Sequence, residues 1–278
     1  MKIEKEQVCV LIPTLNEAPT IGDLIRDFSG RGFSNILVID GHSTDDTRKI
    51  AGDAGAKVVL QSQKGKGSAM VEAFGMIDDE YILLIDGDGT YSPADADKLL
   101  AKLGEGFDHV IGDRLTEANR KAFSRLNFFG NQVLNRLFKL AHGQYLGDIL
   151  SGYRAFSRRS VSEMNLKEGG FGIETEISAE SVRKGQNIGT VEISYLERAG
   201  TPTKLNPFHD GIKILATIYR LAKISNPLFY FGLIGVIVVL AGIATGIYVL
   251  IEWFRNIDHI PLTILTVLLI IVGFQIDR

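Results

Sequence analysis

The chain has 278 residues, 45% of them hydrophobic, and a net charge of −3 at pH 7. That size and apolar share suffice for one large core, and without a basic stripe and interleaved aromatics the chain is not a nucleic-acid binder. One cysteine, Cys9, rules out an internal disulfide and reads as a small core residue in a reducing compartment.

The N-terminus, MKIEKEQ, is polar and runs directly into a strand, so no signal peptide is expected and the polar part of the chain should stay where it is made. Five short apolar runs follow: VCVLI (8–12), NILVID (35–40), KVVLQ (57–61), YILLID (81–86) and HVIG (109–112). They scarcely alternate, which predicts strands buried on both faces. Helical patterns at 19–29, 45–54, 67–77 and 93–103 separate them, giving the βαβ rhythm of a mostly parallel sheet covered by helices. Such sheets bind ligands at the carboxyl ends of their strands. Asn16 and Glu17, Asp40, Lys64 and Lys66, Asp86 and Asp88, and Asp113 and Arg114 all fall at those ends.

Beyond the sheet, 119–141 reads as one helix with a basic face, and 206–225 as an amphipathic helix with Lys213, Arg220 and Lys223 beside its apolar positions. The stretch 224–251 then carries no charge, longer than the roughly 20 apolar residues that span a bilayer. A second uncharged run, 260–276, sits at the short limit for a span. Cations gather before the first run, whereas the connector 252–259 balances Arg255 against Glu252 and Asp258. This asymmetry predicts an integral membrane protein with its polar domain on the cytoplasmic side.

The richest segment is YILLIDGDGTYS (81–92), where a strand runs into Asp86 and Asp88 at i, i+2 spacing. Gly87 and Gly89 leave room for a ligand, and the two carboxylates suit a hard divalent cation, Mg²⁺ or Mn²⁺, completed by water and substrate phosphates. An Asp-Gly turn in a solvated loop is the competing account.

In order, LIPTLNE (11–17), VIDGHSTDDT (38–47), KGKGSA (64–69), IDGDGTY (85–91), SGYRAF (151–156) and ERAGTPTKL (197–205) resemble the family 2 glycosyltransferases, specifically the polyprenyl-phosphate group that includes dolichyl-phosphate mannose and glucose synthases. The resemblance implies an α/β GT-A fold, a Rossmann-like, mostly parallel nucleotide-sugar-binding sheet, over 1–205. It also implies a juxtamembrane helix over 206–225 and a transmembrane hairpin over 226–278. Pro13, Leu15, Asn16, Glu17, Asp40, Lys66, Asp86, Gly87, Asp88, Arg198 and Lys204 match the nucleotide-sugar positions, with Asp86 and Asp88 as the metal pair and backbone amides near Lys66 meeting diphosphate. Arg114, Arg125, Asn131, Ser151 and Arg154 match the acceptor-phosphate region, and Asp88, Arg114 and Arg198 the catalytic groups. Glu174 and Glu176 fall where many family members carry an acidic pair, though acids at a helix N-terminus need no further reason.

The implied reaction is metal-dependent, inverting transfer of one sugar to dolichyl or polyprenyl phosphate at the cytoplasmic membrane face. Thr90 stands where mannose synthases often have glutamine, which favours a UDP-sugar over GDP-mannose. Homo-oligomerisation is left open. The DxDGT run also matches the nucleophile signature of haloacid-dehalogenase-type phosphohydrolases. That alternative needs a later GD with an acid four residues on. Gly112-Asp113 comes too soon, and after Gly147-Asp148 that place holds Gly152. The dinucleotide pattern begun by Gly65 and Gly67 has Met70 at its third glycine, and the lone Trp253 cannot supply a processive synthase's QxxRW. A non-catalytic nucleotide-sugar scaffold would be favoured by loss of Asp40, Asp86 or Asp88, and all three are present.

Overall fold

A computed structural model describes residues 1–170, 172–198 and 207–276. The chain divides into two compact units, residues 1–139 with 144–218, and residues 140–143 with 219–278.

The first unit is built on a seven-stranded sheet. In chain order its elements begin β1 (Val8–Thr14), α1 (Ala18–Gly30), β2 (Asn35–Asp40), α2 (Thr47–Asp53), β3 (Lys57–Leu60), α3 (Lys66–Phe74), β4 (Tyr81–Leu84), α4 (Ala96–Leu103) and β5 (His109–Asp113). There follow α5 (Arg125–His142), β6 (Arg154–Ser157), α6 (Arg158–Ser162), α7 (Ile173–Arg183), β7 (Ile188–Glu192) and α8 (Pro207–Ser225), within which the unit boundary falls.

Alternation along β1 explains the layering. Val8, Val10 and Ile12 pack into one apolar cluster with Ile21, Leu24, Ile25 and Phe28 of α1, while Cys9 and Leu11 pack into another with Ala69 and Met70 of α3 and Ile177 of α7. The i, i+3, i+4, i+7 spacing on α1 puts those four side chains on one stripe. Both faces are thus covered, and burial of each such side chain contributes about 1.5–3 kcal/mol.

The strand order is β3-β2-β1-β4-β6-β5-β7, with β6 antiparallel to both neighbours. From β1 the chain winds outward to β2 on one side and β4 on the other, so a crevice opens beyond the carboxyl ends of β1 and β4. Two expectations are corrected, and two strands are added. β3 forms the sheet edge and is exposed at both ends rather than buried on both faces. β6 and β7 complete the sheet although neither reads as an apolar run. The helix expected over 119–141 is broken: a 3₁₀ turn covers Glu117–Ala122, and α5 starts at Arg125.

In the second unit, α9 (Pro227–Phe254) is long and apolar enough to cross a bilayer, with 11% of its most apolar window buried. The shorter α10 (Ile260–Ile276) packs along it. Small residues permit the close approach: Gly242 faces Ile270, Gly273 faces Val239, and Thr266 Oγ1 donates to Thr245 Oγ1 at 3.0 Å.

Candidate active site

A cavity of about 560 Å³ opens at the predicted sheet edge. Among its lining residues Glu17, Lys66, Asp86, Asp88, Glu174 and Arg198 form a cluster linked by ion pairs, and Phe123, Leu126, Leu134, Leu150 and Ile214 are apolar.

The charged cluster alternates in sign. Lys66 Nζ lies 2.6 Å from Asp86 Oδ1 and 2.5 Å from Glu174 Oε1. Arg198 Nη2 donates to Glu17 Oε1 at 2.7 Å, and its Nη1 lies 3.3 Å from Asp88 Oδ2. Burial disfavours the Lys66 ammonium, but Asp86 and Glu174 outweigh it and raise its pKa. Thr90, reached in the sequence only as a donor hint, fastens Asp88: its N–H and Oγ1 both donate to Oδ1, at 3.1 and 2.6 Å. The D-x-T spacing was the available signal, since a hydroxyl two residues after an Asp readily closes such a turn.

Glycines set the carboxylates in place. A Cβ on Gly152 would stand 2.6 Å from Asp86 Cγ, so this loop presses directly on the carboxylate. The bare side of Gly87 accommodates Thr14 Cγ2, 2.8 Å from where its Cβ would lie, and the residue itself lines the cavity.

The donor set fits a hard divalent cation. Asp86 and Asp88 supply two carboxylates, and among the described residues no group of three or more His, Cys, Asp or Glu offers a closed protein cage. With Arg114 neutralised by Asp148, the four carboxylates and two cations of the charged cluster leave two negative charges, which one such ion balances.

On the β1 and β2 side, Pro13, Leu15 and Glu17 reach the cavity as expected, joined by Gly41 and Gln61, which the sequence did not single out. Asp40 and Asn16 do not line it, contrary to their expected contact roles. Asp40 is 0% exposed, with Oδ2 accepting from Ser43 N at 2.8 Å and Oδ1 from Ser43 Oγ at 2.5 Å. Asn16 Oδ1 accepts from Thr44 N at 2.8 Å and its N–H donates to Ser43 Oγ at 2.8 Å. Both hold the loop after β2. The expected diphosphate contact from amides near Lys66 is also corrected, because Gly67 N and Ser68 N both donate to Gly169 O. Lys64 is exposed and off the cavity.

Arg114 and Asn131 also line the cavity. Arg114 is already paired: Nε and Nη2 donate to Asp148 at 2.6 and 3.0 Å, and its guanidinium lies 5.1 Å from the ring centre of Tyr195. The expected acceptor roles of Ser151, Arg154 and Arg125 are corrected. Ser151 is fully buried and bonded to Tyr153. Arg154 is 0% exposed and donates to Ser151 O, Ile149 O and Ser178 Oγ, its pKa lowered to about 10 by burial. It pins the 149–151 loop. Arg125 is exposed and off the cavity. Lys204 lies outside the described residues. Glu176 faces away, accepting from Lys167 N and Glu168 N at 2.9 and 2.7 Å, whereas Glu174 reaches the cavity.

Residues 9–164 match the family described as Glycosyl transferase family 2. The glycosyltransferase AglJ of Haloferax volcanii is 48% identical over 98% of this chain and 90% of its own length. A dolichyl-phosphate hexose transferase of the same organism is 33% identical over 77% of this chain and 93% of its own. A crystal structure of glucosyl-3-phosphoglycerate synthase from Mycobacterium tuberculosis, in complex with Mn²⁺, UDP-glucose and phosphoglyceric acid, aligns with a TM-score of 0.65 at 25% identity, covering 78% of this chain and 80% of that one.

Proposed function

The chain belongs to glycosyl transferase family 2 and is a glycosyltransferase, and on that premise we propose that it transfers one sugar, with inversion, from a nucleotide-sugar to a polyprenyl or dolichyl phosphate. The observation that carries this is a cavity lined both by a charged, ion-paired cluster and by apolar side chains. A nucleotide diphosphate needs the first and a lipid acceptor the second. The name of the dolichyl-phosphate hexose transferase relative supports the acceptor class, and the UDP-glucose of the structural neighbour supports a UDP-sugar over GDP-mannose.

The chemistry asks little of a base. A phosphate monoester is largely dianionic near neutral pH, its second pKa being about 6, so the nucleophile arrives charged. Glu174, held by Lys66, serves as a counter-ion rather than a base. What must be cancelled is repulsion between two anions. Lys66 and Arg198 face the leaving diphosphate. Arg114, its plane fixed by Asp148, is assigned to the acceptor phosphate with Asn131. A divalent cation, held by Asp86 and Asp88, would neutralise the leaving group when bound.

In this reading α8 lies at the membrane interface and α9 with α10 forms a membrane hairpin. Lys213, Arg220 and Lys223 precede α9, while the following connector balances Arg255 with Glu252 and Asp258, an asymmetry that supports a cytoplasmic catalytic domain. Membranes containing the protein, incubated with labelled UDP- and GDP-sugars, dolichyl phosphate and Mg²⁺ or Mn²⁺, should yield an organic-extractable labelled lipid. No such product with any donor would sink the proposal; inorganic phosphate in its place would favour a phosphohydrolase.

A further inference from the structure

Lys66 occupies an unusual place. Its ammonium covers Asp86 Oδ1 at 2.6 Å, on one of the two carboxylates assigned above to a divalent cation. A divalent ion and an ammonium repel each other at such separations, so they compete for that oxygen. The other end of the pair differs. Glu174 is 4% exposed, on the first turn of α7, and Lys66 Nζ reaches it at 2.5 Å. A lysine that left Glu174 altogether would strand a buried carboxylate, which is strongly unfavourable.

The backbone beneath Lys66 has little freedom to follow. Gly67 N and Ser68 N are tied to Gly169 O, and a Cβ on Gly67 would collide with the backbone of Glu168 and Gly169. The loop 167–168 is itself held by Glu176. Movement is therefore confined to the lysine's flexible four-carbon stem.

We infer that Lys66 is a resident counter-ion standing in the divalent cation's place on Asp86, and that Glu174 is a positioning residue that keeps the ammonium in the site when the cation displaces it. The inference rests on the assignment of Asp86 and Asp88 to a cation. The swap keeps Asp86 paired before and after metal entry, and it frees Lys66 to turn to the donor diphosphate while still tethered to Glu174. Metal and nucleotide binding are then coupled through one side chain.

Mn²⁺ titration of the detergent-solubilised full-length protein, followed by the electron paramagnetic resonance of free Mn²⁺ with and without UDP, tests this. Lys66→Met should tighten Mn²⁺ binding without UDP by about tenfold, the worth of one charge-assisted contact. The same variant should weaken UDP at saturating Mn²⁺ by about tenfold. Glu174→Gln should weaken Mn²⁺, because the ammonium is left with Asp86 alone. Lys64→Met, which removes an equal charge two residues away and off the cavity, should leave Mn²⁺ affinity unchanged and so separates direct competition from the general field. Misfolding would weaken both ligands in Lys66→Met rather than move them in opposite directions. Wild-type protein that binds Mn²⁺ while Lys66→Met binds it equally or more weakly overturns the inference and leaves the cation assignment standing. Wild-type protein that binds no Mn²⁺ even with UDP overturns both.

Discussion

Replacing Gly152 by alanine puts a methyl group onto Asp86. The added Cβ would lie 2.6 Å from Asp86 Cγ and 2.8 Å from Oδ1, against an ordinary contact distance of 3.4 Å. Oδ2 lies nearer still, so one partner must withdraw by about 1.1 Å. Gly152 is the worse candidate to move: its N–H donates to the Tyr91 hydroxyl at 2.9 Å, and Ser151 and Tyr153 on either side are fully buried. Its backbone lies outside the left-handed region, so alanine brings no torsional cost of its own. Asp86 therefore yields, taking with it the contact to Lys66. A displacement of about 1 Å at a reacting centre costs on the order of 10²-fold in rate, and overpacking of this kind costs about 1–3 kcal/mol of stability. The assay is kcat/KM for glycolipid formation, with the urea midpoint measured in parallel. Gly52→Ala, on α2 with nothing within 4 Å of the new methyl, is the control and should be neutral or slightly stabilising. If Gly152→Ala transfers sugar within about threefold of wild type, well short of the expected 10²-fold loss, then Asp86 is not held where the reaction needs it and the argument from close packing fails.

Asp88→Ala should abolish transfer while leaving the fold intact, because the residue lies at the cavity, Arg198 keeps Glu17 as its partner, and only the Thr90 N–H and Oγ1 lose their acceptor; substantial remaining product would remove it from the site. Arg154→Met should leave Ile149 O, Ser151 O and Ser178 Oγ without their donor and cost about 3 kcal/mol or more, read as a lower urea midpoint. His109 is fully buried beside Arg154 and stacked on Phe156, and burial first, then Arg154, holds its pKa well below the ordinary 6.5. The unfolded chain therefore takes up a proton that the fold refuses: stability from this group is complete above pH 6.5 and is lost as pH falls below it, at up to about 1.4 kcal/mol per pH unit. His109→Asn should flatten that segment of the stability profile relative to wild type, and an unchanged slope would show that the imidazole is protonated in the fold.

Much of the Asp86 side of the cavity was legible because strands covered on both faces read as unbroken apolar runs, and those runs end in polar residues. Asp86 and Asp88 fell where the YILLID run ends, as they had to. The errors have physical causes. β6 is four residues long with an arginine at its first position, so no apolar pattern announced it, and the burial of Arg154 depends on carbonyls and a serine that come together only when the chain is folded. Asp40 and Asn16 have the chemistry of ligand contacts, yet the local turn after β2 satisfies them first. The Asp148 partner of Arg114 sits 34 residues away, beyond any spacing rule. Motifs locate a loop; they do not say which of its polar groups are already spoken for.

The antiparallel insertion of β6 has a metric consequence. With strands about 4.8 Å apart, one intervening strand sets the ends of β4 and β5 about 10 Å from each other. Asp86 follows one of those ends and Arg114 the other, and the segment 148–152 touches both, gripping Arg114 through Asp148 and abutting Asp86 through Gly152. That segment works as a gauge block. The gap between the residue proposed to hold the leaving group's cation and the residue proposed to meet the acceptor phosphate is machined into the sheet before any ligand enters.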